Sequence, residues 1–306
     1  MTAGVVLMTY GAPAGDADLP RYLAAVRGGK EPTGELVAEM SRRYAMIGGS
    51  PLVAITERQA AALERALGPG NRVVAGMRFS EPSIARASRE LVAAGADRVA
   101  GIVLSPQWSD LLMGGYERAL ADGLGSVPHL VARSWWREPL FVECLASRIR
   151  EALGDDRDGM PVVLTAHSLP RRVFETESGY VDELRATGQR VAEAAGLPPA
   201  RWRWAYQSAG HTAEEWLRPD LGELFPDLAR AGHRAVLVVP VQFLADHLEV
   251  LYDLDVAAAA QARAAGLEYR RAGMPNTDPV FIGALAAVAR ATLAALVRPV
   301  ERVLGA

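Results

Sequence analysis

The chain has 306 residues, half of them hydrophobic, with 33 basic side chains against 36 acidic ones and a formal net charge of −3. That is enough for one large domain or two mid-sized ones around a buried core, without the clustered basic excess of a nucleic-acid binder. Cys144 is the only cysteine, which excludes an intramolecular disulfide and an iron–sulfur cluster ligated by the chain's own cysteines.

In chain order, Val5–Met8 reads as a strand, Gly34–Tyr44 and Thr56–Leu67 as helices, and Arg72–Ala75 as a strand. Glu81–Ala94 follows as a helix, Val99–Leu104 and Leu130–Ala132 as strands, and Leu140–Leu153 as a helix. After a polar turn at 154–159 the pattern runs again: strand Val162–Thr165, helix Tyr180–Ala195, strand Arg203–Tyr206, helix Asp220–Ala231, strand Ala235–Val239 and helix Asp246–Ala265. A last helix covers about Pro279–Val297 and is free to pack back on the first half. The strands are short and apolar throughout, as strands buried on both faces of a parallel sheet are. Their alternation with helices predicts an α/β architecture in two halves, 1–150 and 151–306.

The opening MTAGVVLMTYG carries no basic leader, and the expectation is that no apolar run reaches the roughly 18 residues of a membrane span, so the chain is expected to be cytoplasmic. No GxGxxG follows the first strand, and no GxxxxGK[ST], GxSxG or HExxH occurs anywhere. Cys144, inside the apolar stretch Phe141–Ile149, reads as buried and inert.

In open parallel sheets, ligands bind beyond the carboxyl ends of the strands, which ranks the residues that follow each one. His167 stands first, two residues past a buried strand in TAHSLP (165–170). Imidazole exchanges protons near neutrality and binds metals. Glu249 follows another strand, in PVQFLADHLEVLYD (240–253); at helical spacing it shares a face with Asp246, Val250 and Asp253. It equally suits the third position of a capping box with Asp246 as the cap, while His247 points elsewhere and reads as structural. A His and a Glu from separate segments suit metal handling or proton abstraction, and do not have the spacing of a structural zinc site. His129, His211 and His233 read as solvent-facing. Tyr10 closes the first strand, and Arg27, Arg43 and Tyr44 precede the Gly-rich bend Ile47–Pro51, where arginines suit carboxylates.

Taken in order, MTYGAP (8–13), RYAMIGGSPLVAIT (43–56), SPQWS (105–109), TAHSLP (165–170), YQSAG (206–210), EEWLRPDL (214–221), PVQFLADHLEVLYD (240–253) and MPN (274–276) resemble the ferrochelatase family over nearly the whole chain. The resemblance implies two Rossmann-like domains with a porphyrin cleft between them. It implies that His167 and Glu249 act on one face of the ring, binding iron or taking up pyrrole protons. The YGAP and RGGKEP segments look like the Gram-positive branch, which metallates coproporphyrin III. There Tyr10 would be an axial ligand on the opposite face, and Arg27, Arg43, Tyr44, Ser50 and Tyr116 would contact the ring or its propionates. On this reading Fe²⁺ is a substrate, no prosthetic group is held, the chain is a monomer, and a downstream coproheme decarboxylase receives the product. The sequence departs from the family pattern at Gly28, where an arginine is common, and at Ala257, where some relatives carry a carboxylate. A protoporphyrin ferrochelatase, a cobalt chelatase for sirohydrochlorin and a non-catalytic porphyrin carrier remain as alternatives.

Overall fold

The computed structural model describes residues 2–155, 159–210 and 214–297. The first half runs β1 (Thr2–Thr9), α1 (Leu19–Val26), α2 (Gly34–Met46), α3 (Leu52–Leu67), β2 (Asn71–Met77), α4 (Ile84–Ala93), β3 (Ala96–Val103), α5 (Asp110–Leu124), β4 (His129–Ala132) and α6 (Pro139–Leu153). The second runs β5 (Val162–His167), α7 (Arg171–Thr176), α8 (Ser178–Ala194), β6 (Trp202–Gln207), α9 (Leu221–Arg230) and β7 (Ala235–Pro240). It ends with α10 (Leu248–Leu251), a π-helical segment (Asp253–Ala258), α11 (Ala259–Ala264), β8 (Glu268–Arg271) and α12 (Pro279–Val297).

Every strand read from the sequence is present. They form two parallel sheets with the same order, β2-β1-β3-β4 and β6-β5-β7-β8. The central strands show why: Val5, Val6, Leu7 and Met8 of β1, and Val162, Val163 and Leu164 of β5, are fully buried, so alternate side chains enter packing on both faces. In each sheet the strand order reverses between its first and third strands in sequence. The crevices beyond β1 and β3, and beyond β5 and β7, are therefore where a ligand belongs.

The two halves exchange a helix. α6 packs on α8 and β7, beneath the second sheet, while α12 returns to α3, β3 and β4 of the first. One continuous core results, with Leu7, Leu63 and Ile102 at one end, Leu164, Val191 and Leu237 at the other, and Phe141, Leu145, Phe281 and Leu285 between them. The boundary drawn at 150 thus falls inside α6, and that helix serves the second half.

α12 corrects one expectation. It is long and apolar enough, by length and composition, to cross a membrane. Its apolar residues are spent on the core instead: Phe281, Ala284, Leu285 and Ala289 are fully buried.

The predicted helix Asp246–Ala265 is also corrected, because it breaks into three pieces. α10 makes one turn, and the Ala257 N–H then donates to the Tyr252 carbonyl (2.9 Å), five residues back, before α-helical spacing resumes. Asp246 caps nothing. Its N–H donates to Asn276 Oδ1 (2.9 Å), and Asn276 Nδ2 donates to its carboxylate (2.7 Å). This pairing ties the start of the segment to the MPN turn, which Gln59 of α3 also holds by donating to the Asn276 carbonyl (2.7 Å).

Candidate functional site

The two crevices face each other across one cavity of about 590 Å³, within the range of small-molecule sites. Residues that follow β1, β2 and β3 line one side, and residues that follow β5 and β7 line the other. The wall formed by the start of α5 is pinned from the opposite half: Glu177 accepts from the Leu111 N–H (2.8 Å) and the Ser109 hydroxyl, and Glu183 accepts from the Trp108 N–H (3.1 Å). These contacts satisfy donors at the α5 amino terminus that have no partner within the helix.

His167 ends β5, where the sheet fixes its backbone. Its N–H donates to Gln242 Oε1 (2.9 Å), and Gln242 Nε2 reaches the Tyr180 hydroxyl (2.6 Å). Its ring Nδ1 lies against the Ser168 carbonyl. A carbonyl oxygen only accepts, so Nδ1 carries a hydrogen, and Nε2 is the ring nitrogen left to exchange a proton with the cavity. That Nε2 is 3.6 Å from Glu249 Oε1.

Glu249 lies between two imidazoles. On its other side His247 Nε2 is 3.5 Å from Oε2, and His247 Nδ1 contacts the Ala245 carbonyl at 2.9 Å. Burial pushes the Glu249 carboxyl up, but the nearby His167 and His247 outweigh it and hold the group down at about 2. Burial lowers the His247 pKa; the hydrogen bond and charge of Glu249 reverse that, and it ends above its ordinary 6.5. His247, read from the sequence as structural, is therefore the second partner of the carboxylate.

The consequence is measurable. In Glu249→Gln the largest contribution that raises His247 is lost, while burial, the Ala245 carbonyl and the Asp253 charge remain, so its midpoint should fall. The sign for stability follows: the raised folded value contributes stability below the unfolded pKa, and that stability is lost as pH rises through the folded one. Ring-proton NMR titration of both proteins checks this, and an unchanged midpoint would show that Glu249 does not govern His247.

Across the cavity Tyr10 packs edge-on to Phe79, with ring centroids 4.6 Å apart. It is 42% exposed, toward the open cavity. Partial desolvation and the Glu249 charge push its phenol up to about 12, against the lowering influence of Arg78. Tyr44 and Tyr116, both buried, are raised further by desolvation. All three hydroxyls are thus neutral at pH 7.

The structure brings Tyr10, Tyr44, Ser50, Tyr116, His167 and Glu249 into the one cavity. It does not bring in Arg27 or Arg43. Arg27 is exposed at the end of α1, beside the Gly28–Gly29 turn. Arg43 turns to its helical neighbour Glu39 (2.8 Å), to Asp253 (3.8 Å) and to the Tyr252 ring, and so ties α2 to the π-helical segment. Sequence reasoning missed Arg78, which lines the cavity immediately after β2. The rule that ranks strand ends applies to β2 as well and would have found it.

Among the described residues, no group of three or more His, Cys, Asp or Glu side chains gathers to hold a metal. His167 and Glu249 together offer one imidazole and one carboxylate toward open space. Such a pair suits a divalent cation that passes through rather than one that stays. Cys144 is fully buried, with its thiol pushed up to about 12 by desolvation, and takes no part. His211 lies outside the described residues.

Comparison with known proteins agrees with this geometry. A family model described as Ferrochelatase matches residues 2–293. The ferrochelatase of Deinococcus radiodurans is 37% identical over 297 residues, covering 93% of this chain and 94% of its own. The coproporphyrin III ferrochelatase of Geobacillus kaustophilus is 36% identical over 94% of this chain and 95% of its own. The protein of the same name from Bacillus subtilis is also 36% identical, over 93% and 96%. Among solved structures, CbiX, described as the terminal enzyme of sirohaem biosynthesis in denitrifying bacteria, superposes with a TM-score of 0.59 at 17% identity, covering 94% of this chain and 98% of its own. SirB from Bacillus subtilis with Fe³⁺ gives 0.59 at 13% identity, over 95% and 96%. At those identities the likeness is one of fold, and the fold is that of the chelatases.

Proposed function

The chain belongs to the ferrochelatase family, and we propose that the porphyrin it metallates is coproporphyrin III. As a member it is an enzyme, a lyase that inserts metal into porphyrin in haem biosynthesis. The observation that carries the metallation chemistry is His167 Nε2 set 3.6 Å from Glu249 Oε1 inside a cavity whose opposite wall includes Tyr10. Relatives named coproporphyrin III ferrochelatases, matched end to end, support the choice of substrate.

Metallation requires that two pyrrole protons leave as Fe²⁺ enters. At about 2, the carboxyl of Glu249 is a poor base at neutral pH. Proton uptake falls to His167, which takes one proton at Nε2 and passes it to water in the open cavity before it takes the second, while Glu249, 3.6 Å away, compensates each imidazolium that results. His247 keeps the carboxylate ionised and aimed. Tyr10, a neutral phenol that lines the opposite wall, would meet the metal from the other face. Imidazole, carboxylate and phenol suit first-row divalent metals without selecting iron strongly, so Co²⁺ and Zn²⁺ should also be inserted. In this reading Fe²⁺ and coproporphyrin III are substrates and no prosthetic group is held. The enzyme acts as a cytoplasmic monomer and passes its product to a decarboxylase. Incorporation of α12 into the core supports a location off the membrane.

The test is anaerobic insertion of Fe²⁺ into coproporphyrin III and into protoporphyrin IX, followed by absorbance. Conversion of coproporphyrin III with the higher kcat/KM is expected. A preference for protoporphyrin IX would overturn the choice of substrate and leave the chemistry standing. Tight binding without turnover would make the chain a carrier.

A further inference from the structure

Among the described residues, Arg78 is the only arginine or lysine that lines the cavity. It follows β2 directly, at the carboxyl edge of the first sheet. Its guanidinium is held in place on several sides. Cζ is 4.9 Å from the Phe79 ring centre and 5.0 Å from that of Tyr116. One nitrogen donates to the Leu112 carbonyl at 2.8 Å.

Below the guanidinium lies Gly115, in the middle of α5. A Cβ built there would stand 2.3 Å from Arg78 Nη2, 2.6 Å from Cζ and 3.0 Å from Nε. The group rests on bare helix backbone in a space that any other residue would fill. Glycine inside a helix is disfavoured relative to alanine, so the seat is maintained against local propensity.

The charge placed so carefully has no counter-ion. Among the described residues no carboxylate ion-pairs with Arg78, and the phenols beside it are neutral at pH 7. The guanidinium stays protonated at any working pH. A half-buried cation without a partner is unfavourable unless a ligand brings the anion. The carboxylates of a porphyrin substrate are the anions that enter this cavity.

We propose that Arg78, seated on Gly115, is a carboxylate-recognition residue that receives one propionate of the substrate within the cavity. The inference rests on the porphyrin reading of the site and adds a determinant of which porphyrins bind.

Binding of coproporphyrin III and of its tetramethyl ester, measured by fluorescence on wild type, Arg78→Met, Arg78→Lys and Gly115→Ala, tests it. Arg78→Met should weaken the free acid roughly 10- to 100-fold, the loss of one charge-assisted hydrogen-bonded contact. The ester should bind wild type and Arg78→Met alike, which also shows that the cavity is intact. Arg78→Lys should recover part of the loss, because a point charge replaces the fork. Gly115→Ala should reproduce the loss, and combining it with Arg78→Met should add nothing further. Equal affinity of Arg78→Met and wild type for the free acid would overturn the assignment, as would parallel losses of acid and ester. Repeating the measurement with protoporphyrin IX separates the two claims. If that porphyrin is preferred but its free acid alone is lost in Arg78→Met, the choice of substrate fails and Arg78 keeps its role.

Discussion

Replacing His167 with alanine should slow metal insertion by roughly 10²- to 10⁴-fold, the usual contribution of a positioned general base, while porphyrin still binds. The asymmetry follows from position. The His167 side chain lines the cavity, but its backbone bond to Gln242 and its place in β5 do not depend on the imidazole. On the proposed reading the ring would meet the reacting nitrogens, while the tyrosines, the aliphatic side chains and Arg78, which make up most of the lining, would hold the macrocycle. Anaerobic single-turnover absorbance with Fe²⁺ and coproporphyrin III, set beside porphyrin affinity by fluorescence, separates chemistry from binding. Added imidazole should restore part of the rate, because the vacated volume opens onto the cavity. Insertion within tenfold of wild type would remove His167 from the chemistry and assign proton uptake elsewhere. Loss of porphyrin binding in step with rate would make it a binding residue.

Much of this site is legible in the sequence, because strands buried on both faces are conspicuous and function collects at their carboxyl ends. Val162–Thr165 is unmistakably a core strand, and His167 stands just past it. The same logic gave Tyr10 and Glu249. It was weaker where the signal is not local. Strand β8, Glu268–Arg271, is a polar edge strand with no apolar run to mark it. Helix α5 was missed because Gly114 and Gly115 depress its propensity, yet Gly115 is there to admit a side chain from another element. The break in Asp246–Ala265 has no local sign either. The stretch is rich in helix formers, and packing of Asp246 on Asn276, with Asp253 and Tyr252 engaged by α2, accompanies the shifted register. Arg43 shows what the sequence leaves out. Its segment suggested carboxylate binding, and its own helix supplies Glu39 one turn back.

The exchange of α6 and α12 decides how the molecule unfolds. Phe281 is fully buried in the core that both sheets share. Truncating it to alanine should cost about 3–5 kcal/mol, the usual range for a buried phenylalanine. Were the halves independent domains, that loss would destabilise one and spare the other. Because α12 lies on α3, β3, β4 and α6, and α6 lies on α8 and β7, the defect is felt on both sides of the cavity. Chemical denaturation should therefore show one transition, shifted to lower denaturant with little change in slope. Hydrogen exchange should report the same fall in protection for β1 and for β5. Two separated transitions, or lost protection confined to β1 and β3, would mean that the halves fold apart. The cavity would then be an interface between domains rather than a cleft in one rigid body. A single transition would explain how Tyr10 on one sheet and His167 on the other hold a fixed separation across a site that neither half could build alone.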